Sequence, residues 1–130
     1  MTTLPFVSEG ADAGRITTSP VSQTIEIAAV RLKDYLSEPI DFLKMDIEGA
    51  ETEVLCDRAD SLSNVSNLFV EYHSISGQRQ TIDRLLATLI GAAFRVHIHS
   101  TFTSSNPFSS IDEIFGMDLQ LNIFACRQRQ

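Results

Sequence analysis

Residues 40–55 read IDFLKMDIEGAETEVL and contain the clearest transition from strand to helix in this chain. The apolar run 40–47 predicts a short buried strand that Gly49 ends. The following segment places apolar residues at helical spacing, and acidic residues crowd its start, where the helix dipole favours negative charge. We therefore predict a strand at 40–47 followed by a helix at 49–62, which is the beginning of a βαβ unit.

The same alternation continues towards the C-terminus. Apolar residues predict strands at 66–73, 94–99 and 117–126. The intervening helix, 79–93, has a continuous apolar face made of Ile82, Leu85, Leu86, Leu89, Ile90 and Ala93. Alternating strands and helices indicate an α/β fold with a mainly parallel sheet. No long helix precedes the last strand, so we expect that strand to be antiparallel. Residues 110–116 have room for one helical turn.

The N-terminal third has weaker patterns. Residues 1–32 are rich in Gly, Pro, Ser and Thr and predict a loop or short hairpin followed by a strand at 24–32. Gly10 and Gly14 resemble a nucleotide loop only superficially, because no strand–turn–helix context surrounds them, and we interpret both as turn glycines. We predict a single domain over 1–130, with its α/β core at 40–127.

Composition excludes several function classes. Ten basic residues against seventeen acidic ones give a net charge of −7 and a pI near 4.8, which argues against a nucleic-acid binder. No apolar run reaches the ~20 residues of a membrane-spanning helix, and the N-terminus lacks the features of a secretory signal. The two cysteines, Cys56 and Cys126, have neither zinc-ligand spacing nor scaffold density. We expect reduced thiols and a cytoplasmic protein without membrane contact.

Two clusters of polar residues follow neighbouring predicted strands. Asp46 and Glu48 end the first strand, and Glu71 and His73 end the second. Ligands of open α/β sheets bind at the carboxyl ends of the strands, so these four are the candidate catalytic residues. They have the chemistry to bind a cation, hold a ligand hydroxyl, or act as acid and base. The alternatives are a simple helix cap for the first pair and a solvated strand end for the second.

Other polar residues have a simpler interpretation. Glu51 and Glu53 are expected to be solvated charges at a helix start. His97 and His99 have the H-x-H spacing of two metal ligands, but no third ligand is evident nearby, so we place them on the polar face of a strand. The G-x-S-x-G motif is absent, which leaves little support for a hydrolase.

The segments FLKMDIEGAETEVL (42–55) and LFVEYHS (68–74) strongly resemble the FkbM family of S-adenosylmethionine-dependent methyltransferases. That family carries D-L-L-K-I-D-V-E-G-x-E-x-x-V-L, followed by a strand that commonly ends near V-E-x-H. Gly14-Arg15-Ile16 and VRLKDYL (30–36) are similar to upstream family segments. The resemblance covers essentially the whole chain and is most specific in its middle third.

The resemblance implies a partial Rossmann-like methyltransferase fold. The four strands from residue 40 would be strands four to seven of the family sheet, in the order 4-5-7-6. It also implies S-adenosylmethionine as cofactor and methyl transfer to a hydroxyl of a sugar or small-molecule acceptor. The family's cofactor loop and ribose-binding acid have no counterpart here, so the resemblance implies either a methyltransferase of this family or the acceptor-side half of one. Asp46 is the one candidate contact to the cofactor.

The resemblance leaves two further matters open. Comparison with related O-methyltransferases makes Asp46, Glu71 and His73 candidate metal ligands, although the motifs assign no metal. The alternative to an enzyme is a truncated, non-catalytic module of this fold that acts through self-association. Without a strand beside it, strand 40–47 would be an apolar edge. Either Ile25–Val30 lies alongside it, or a second copy pairs with it; we expect a homodimer in which residues 1–47 contribute much of the interface.

Overall fold

The computed structural model describes residues 2–8, 14–16 and 24–127, and their strands form two sheets. The strands are β1 (Thr2–Ser8), β2 (Gly14–Ile16), β3 (Thr24–Ala29), β4 (Ile40–Met45), β5 (Val65–Ile75), β6 (Arg95–Thr103) and β7 (Met117–Cys126). The α-helices are α1 (Glu51–Cys56) and α2 (Ile82–Gly91), and two 3-10 turns span Leu32–Asp34 and Ala59–Asn64. The mixture of strands and helices confirms the α/β class.

The second sheet has the order β4-β5-β7-β6. Its first pair is parallel, whereas β7 runs antiparallel to both β5 and β6. The predicted antiparallel last strand is confirmed. The prediction of a mainly parallel sheet is not confirmed, because β7 lies between β5 and β6 and runs antiparallel to both. The sheet is therefore mixed, with one parallel and two antiparallel pairs.

The core lies between one face of this sheet and the two helices. In β5 the buried positions Leu68, Val70 and Tyr72 alternate, as the two-residue period of a strand requires. Leu55 of α1 and Leu85 and Leu89 of α2 are fully buried in the same cluster; the other members include Leu36, Met45, Leu62, Val65, Phe94, Ile123 and Ala125. No helix within the described ranges is long and apolar enough to cross a membrane.

The predicted face of α2 is too wide. Leu85 and Leu89 are buried and Leu86 is half-buried, but Ile90 is 62% exposed. Ala93 follows the end of the helix with a φ of +64° and is also exposed. The buried stripe of α2 consists of Leu85 and Leu89 on successive turns, with Leu86 at its margin, and is narrower than the apolar residues of the helix suggest.

Several predicted boundaries were wrong. The helix expected over 49–62 starts later, at Glu51, because Gly49 has a φ of +105° that no α-helix contains. It also ends at Cys56, and a separate 3-10 turn follows at Ala59–Asn64. Strand β6 continues to Thr103, since its pairing with β7 extends that far. No helical turn forms at 110–116, where Ile114 instead bridges to Met117.

The N-terminal strands form a separate antiparallel sheet in the order β2-β1-β3. The predicted hairpin is present, with Gly14 opposite Ser8 in β2 instead of in a turn, while Gly10 lies outside the described residues. Strand β3 pairs with β1 from Thr24 to Ala29 and not with β4, so the alternative in which Ile25–Val30 lies beside strand 40–47 is not observed. Of the strands described, only β5 pairs with β4.

Candidate functional site

The candidate site lies where parallel strands β4 and β5 end. Met45, at the end of β4, is paired with Val70, and β5 continues for five residues beyond this point. The loop after β4 carries Asp46 and Glu48, and the extension of β5 carries Glu71 and His73. The register therefore brings all four candidate residues of the sequence to one edge, as the rule for parallel strands predicts.

His73 is at the centre of this group. Its side chain is 2% exposed, and its Nδ1 lies 2.9 Å from Oε1 of Glu51. Its Nε2 lies 3.6 Å from Oε2 of Glu48 and 3.7 Å from Oε1 of Glu71. One ligand atom from each of Asp46, Glu48 and His73 lies within 4.8 Å of the other two. The imidazole is thus surrounded by carboxylates, and a solvated strand end does not describe His73.

Glu51 is a member of the site that the sequence analysis missed. The expectation of a solvated charge was wrong, because Glu51 is 1% exposed. Its Oε1 accepts hydrogen bonds from the backbone amides of Ile47, at 3.2 Å, and Gly49, at 3.0 Å, in addition to the contact with His73. Glu53 is exposed, as expected, and pairs with Arg84 at 2.7 Å.

The turn between β4 and α1 explains how these groups meet. Glu48 and Gly49 both have a positive φ, of +55° and +105°. A non-glycine residue rarely adopts this conformation, and such strain concentrates at functional sites. A side chain at position 49 would also stand 3.3 Å from carbon atoms of Ile75. The turn directs two backbone amides at Glu51 while leaving the Glu48 carboxylate beside His73.

The pKa shifts of Glu51 and His73 follow from this geometry. Burial of His73 favours the neutral imidazole, but the hydrogen bond to Glu51 and the charges of Glu51, Glu48 and Glu71 outweigh it and raise the pKa of His73. Burial likewise opposes the charge of Glu51, but the hydrogen bonds from His73 and from backbone amides, that of Gly49 among them, lower the pKa of Glu51. Both shifts favour the charged forms, and in either protonation state that carries hydrogen on Nδ1, His73 donates to Oε1 of Glu51.

Residues of β7 support the site from the far side of β5. Gln120 lies opposite His73 in the register and donates a hydrogen bond from its Nε2 to Oε1 of Glu71. Asp118 accepts a hydrogen bond of 2.6 Å from the hydroxyl of Ser74. The sequence showed β7 as a strand, but its register against β5 was needed to find these contacts.

The other histidines do not join the site. His97 and His99 are exposed on β6, as predicted for the polar face of a strand. His99 packs its ring against Phe124, with 5.2 Å between the ring centroids. In the described part of the chain, one group of at least three His, Cys, Asp or Glu residues is close enough to share a metal ion. Its members are Asp46, Glu48 and His73.

Comparisons with known proteins identify one family. A family model described as the methyltransferase FkbM domain matches residues 3–97, which is well over half of the chain. Searches of curated proteins and of solved structures found no match. The matched segment includes the β4–α1 turn and the end of β5, where Asp46, Glu48, Glu51, Glu71 and His73 lie. The resemblance seen in the sequence is confirmed, and the chain belongs to the FkbM methyltransferase domain family.

Proposed function

We propose that this chain is an S-adenosylmethionine-dependent methyltransferase, or the acceptor-side half of one, that acts on a hydroxyl of a sugar or small molecule. The observation that carries the proposal is the ring of carboxylates around buried His73 at the carboxyl ends of β4 and β5. This edge is where α/β folds bind their ligands. Membership of a methyltransferase family supports the reaction class.

The acidic donor set is compatible with the proposed cofactor. When bound, S-adenosylmethionine supplies a methyl group on a positively charged sulfur. Its sulfonium and amino groups are cationic, and carboxylates are suitable partners for both. We assign this contact to Asp46, which is exposed and directly follows β4. Its Oδ2 lies 3.4 Å from Nζ of Lys44, in an ion pair at the surface.

The remaining residues position the acceptor and take its proton. In such a transfer the hydroxyl oxygen would form a bond to the methyl carbon as the carbon–sulfur bond breaks, which releases the demethylated thioether. The hydroxyl must lose its proton in this step, and a carboxylate within hydrogen-bond reach acts as the base. Glu48 is best placed for this role, because Glu71 already accepts a hydrogen bond from Gln120, and Glu51 is buried with three donors on its Oε1. The ring of His73 lies beside Glu48, with 3.6 Å between Nε2 and Oε2, and its protonated form would supply positive charge next to the reacting oxygen.

Calorimetric titration with S-adenosylmethionine and its demethylated product tests the binding step. We expect micromolar affinity that falls in Asp46→Asn and is unchanged in the matched control Asp41→Asn, an exposed aspartate at the other end of β4. Absence of binding to the unaltered chain would contradict the cofactor part of the proposal.

Transfer of labelled methyl from S-adenosylmethionine to a panel of sugars and small alcohols tests the chemistry. We expect Glu48→Gln to lower the rate by roughly 10²–10⁴-fold, the usual contribution of a general base. An unchanged rate in this variant would exclude Glu48 as the base. We expect the activity in the cytoplasm, in keeping with the free thiols of Cys56 and Cys126.

A second candidate function is a non-catalytic module that acts through self-association. It is favoured by the free edge of β4, which pairs with β5 alone among the strands described, and by Phe42, which is 61% exposed on that strand. An unpaired apolar edge promotes association. A second copy of the chain that pairs along β4 would give the homodimer expected from the sequence.

Sedimentation velocity at micromolar concentration tests this candidate. We expect a dimer that Phe42→Glu converts to a monomer. The matched control is Ile90→Glu, which alters a side chain of equal exposure on α2. A monomeric parent chain, or a dimer lost equally in both variants, would contradict pairing through β4.

A further inference from the structure

We propose that Asp46, Glu48 and His73 form a binding site for one divalent transition-metal ion, Zn²⁺ or Mn²⁺. The proposal differs from the roles assigned above, because Glu48 and His73 are ligands when an ion is bound. A cation can bind here whether or not the chain is an active enzyme. The sequence motifs assigned no metal. The candidate ligands suggested by comparison with related O-methyltransferases included Glu71 in place of Glu48.

The spacing of the three donor groups suits such an ion. Metal–ligand bonds of about 2.0–2.2 Å place two ligands of a tetrahedral site roughly 3.4 Å apart, and opposite ligands of a larger shell about 4.2 Å apart. Nε2 of His73 and Oε2 of Glu48 are separated by 3.6 Å, and all three donors fall within 4.8 Å of one another. Small rotations of the two carboxylates, which are both accessible to solvent, close the remaining gap.

The orientation of His73 is an independent observation that points to a ligand. Metal-binding histidines commonly donate the hydrogen of their second ring nitrogen to a carboxylate, which fixes the ring and raises its basicity. Here Nδ1 is held at 2.9 Å by buried Glu51, whose own oxygen is fixed by two backbone amides. Nε2 is therefore aimed at Glu48 and the adjacent carboxylates, and within the described residues no group lies within hydrogen-bond distance of it.

The donor types select the class of ion. One imidazole nitrogen and two carboxylate oxygens suit Zn²⁺ and Mn²⁺, whereas Mg²⁺ and Ca²⁺ prefer oxygen ligands throughout. Three protein ligands also leave coordination positions for water or for an oxygen of a bound molecule. Glu71 lies 3.7 Å from Nε2 but is engaged by Gln120, so we place it next to the ion and not among its ligands.

Metal titration of the EDTA-treated full chain tests the proposal. We expect Zn²⁺ and Mn²⁺ each to bind with one equivalent by calorimetry, and Mg²⁺ to bind at least tenfold more weakly. Zn²⁺ should also shift the imidazole NMR signals of His73 and leave those of His97 and His99 in place. These measurements need no methyl transfer, so their failure would not bear on the proposed activity.

Variants separate this site from adventitious binding. Asp46→Asn and Glu48→Gln alter exposed or partly exposed carboxylates, preserve the core, and should each weaken binding by tenfold or more. Asp41→Asn and the double variant His97→Gln/His99→Gln should bind as the parent does. No binding of either ion, binding that persists in both site variants, or binding that disappears in the His97/His99 variant would overturn the proposal.

Discussion

The buried pair of Glu51 and His73 should make a large contribution to the stability of the chain. In Glu51→Ala, the backbone amides of Ile47 and Gly49 and the Nδ1 of His73 lose their common acceptor. An unmet buried donor costs about 1–3 kcal/mol, and breaking a buried ion pair by removing one partner costs about 3–5 kcal/mol. Water enters part of the space that the side chain leaves, so we expect a loss of about 3–5 kcal/mol in the free energy of unfolding.

Two further variants make this prediction specific. Glu51→Gln keeps an oxygen acceptor but removes the charge, and we expect a smaller loss of roughly 1–2 kcal/mol, because a charge-assisted hydrogen bond becomes a neutral one. Glu53→Ala is the matched control: it lies two residues away on the same helix, and its partner Arg84 is on the surface. Surface ion pairs contribute little, so we expect no resolvable change in this control.

Urea unfolding followed by circular dichroism provides the measurement. The slope with denaturant should be the same for all four proteins, so that differences in the midpoint report stability. If Glu51→Ala and Glu53→Ala unfold at the same urea concentration, the buried pair does not exist as described. If Glu51→Gln is as damaging as Glu51→Ala, the charge and not the hydrogen-bond acceptor dominates.

Three other predictions concern pH, the turn and the core. The pKa of His73 is raised above 6.5 and that of Glu51 is lowered below 4.5, so in EDTA their joint contribution should be greatest between these values. It should be lost as pH rises through the folded pKa of His73 or falls through that of Glu51, and a urea-midpoint profile that is flat from pH 6 to 9 would argue against it. Gly49→Ala should destabilise the chain by about 1–3 kcal/mol because φ is +105°, and a thermal melt unchanged from the parent would contradict this backbone assignment. Leu89→Ala should cost about 2–5 kcal/mol, whereas its exposed neighbour Ile90→Ala should cost far less; equal losses by urea unfolding would mean that α2 packs through a different face.

The order of strands and helices could be predicted from the sequence because it depends on local periodicity. The apolar alternation in β5 and the helical spacing of Leu85 and Leu89 are produced by one buried face each, and this signal is contained within a few residues. The position of Asp46, Glu48, Glu71 and His73 at one edge followed from a general rule about parallel strands. The place of β7 between β5 and β6 is the 4-5-7-6 order that the family resemblance implied. Local periodicity alone could not predict it, because strand order is set by pairing between distant segments of the chain, and the periodicity-based prediction of a mainly parallel sheet was not confirmed.

The burial of Glu51 is the clearest example of what local reasoning cannot supply. An acidic residue in the first turn of a helix is usually solvated, and nothing in ETEV distinguishes Glu51 from Glu53. The difference arises because the turn at Glu48 and Gly49 places one carboxylate beneath the end of β5, where its Oε1 lies 2.9 Å from Nδ1 of His73. A signal was available in hindsight: Glu51 and His73 both belong to the segments that carry the family resemblance.

The insertion of β7 between β5 and β6 also constrains how the chain folds during synthesis. Strand β6 is hydrogen-bonded to β7 and to no other described strand, so residues 95–103 have no partner until residues 117–126 leave the ribosome. Until then β5 presents an open edge, and the antiparallel contact that brings Gln120 to Glu71 cannot form. A ribosome-bound chain that exposes residues up to 116 therefore has an unfinished sheet that requires protection from aggregation. The Gln120–Glu71 contact at the candidate site and the closure of the sheet thus form in a single event, when β7 pairs with β5 and β6.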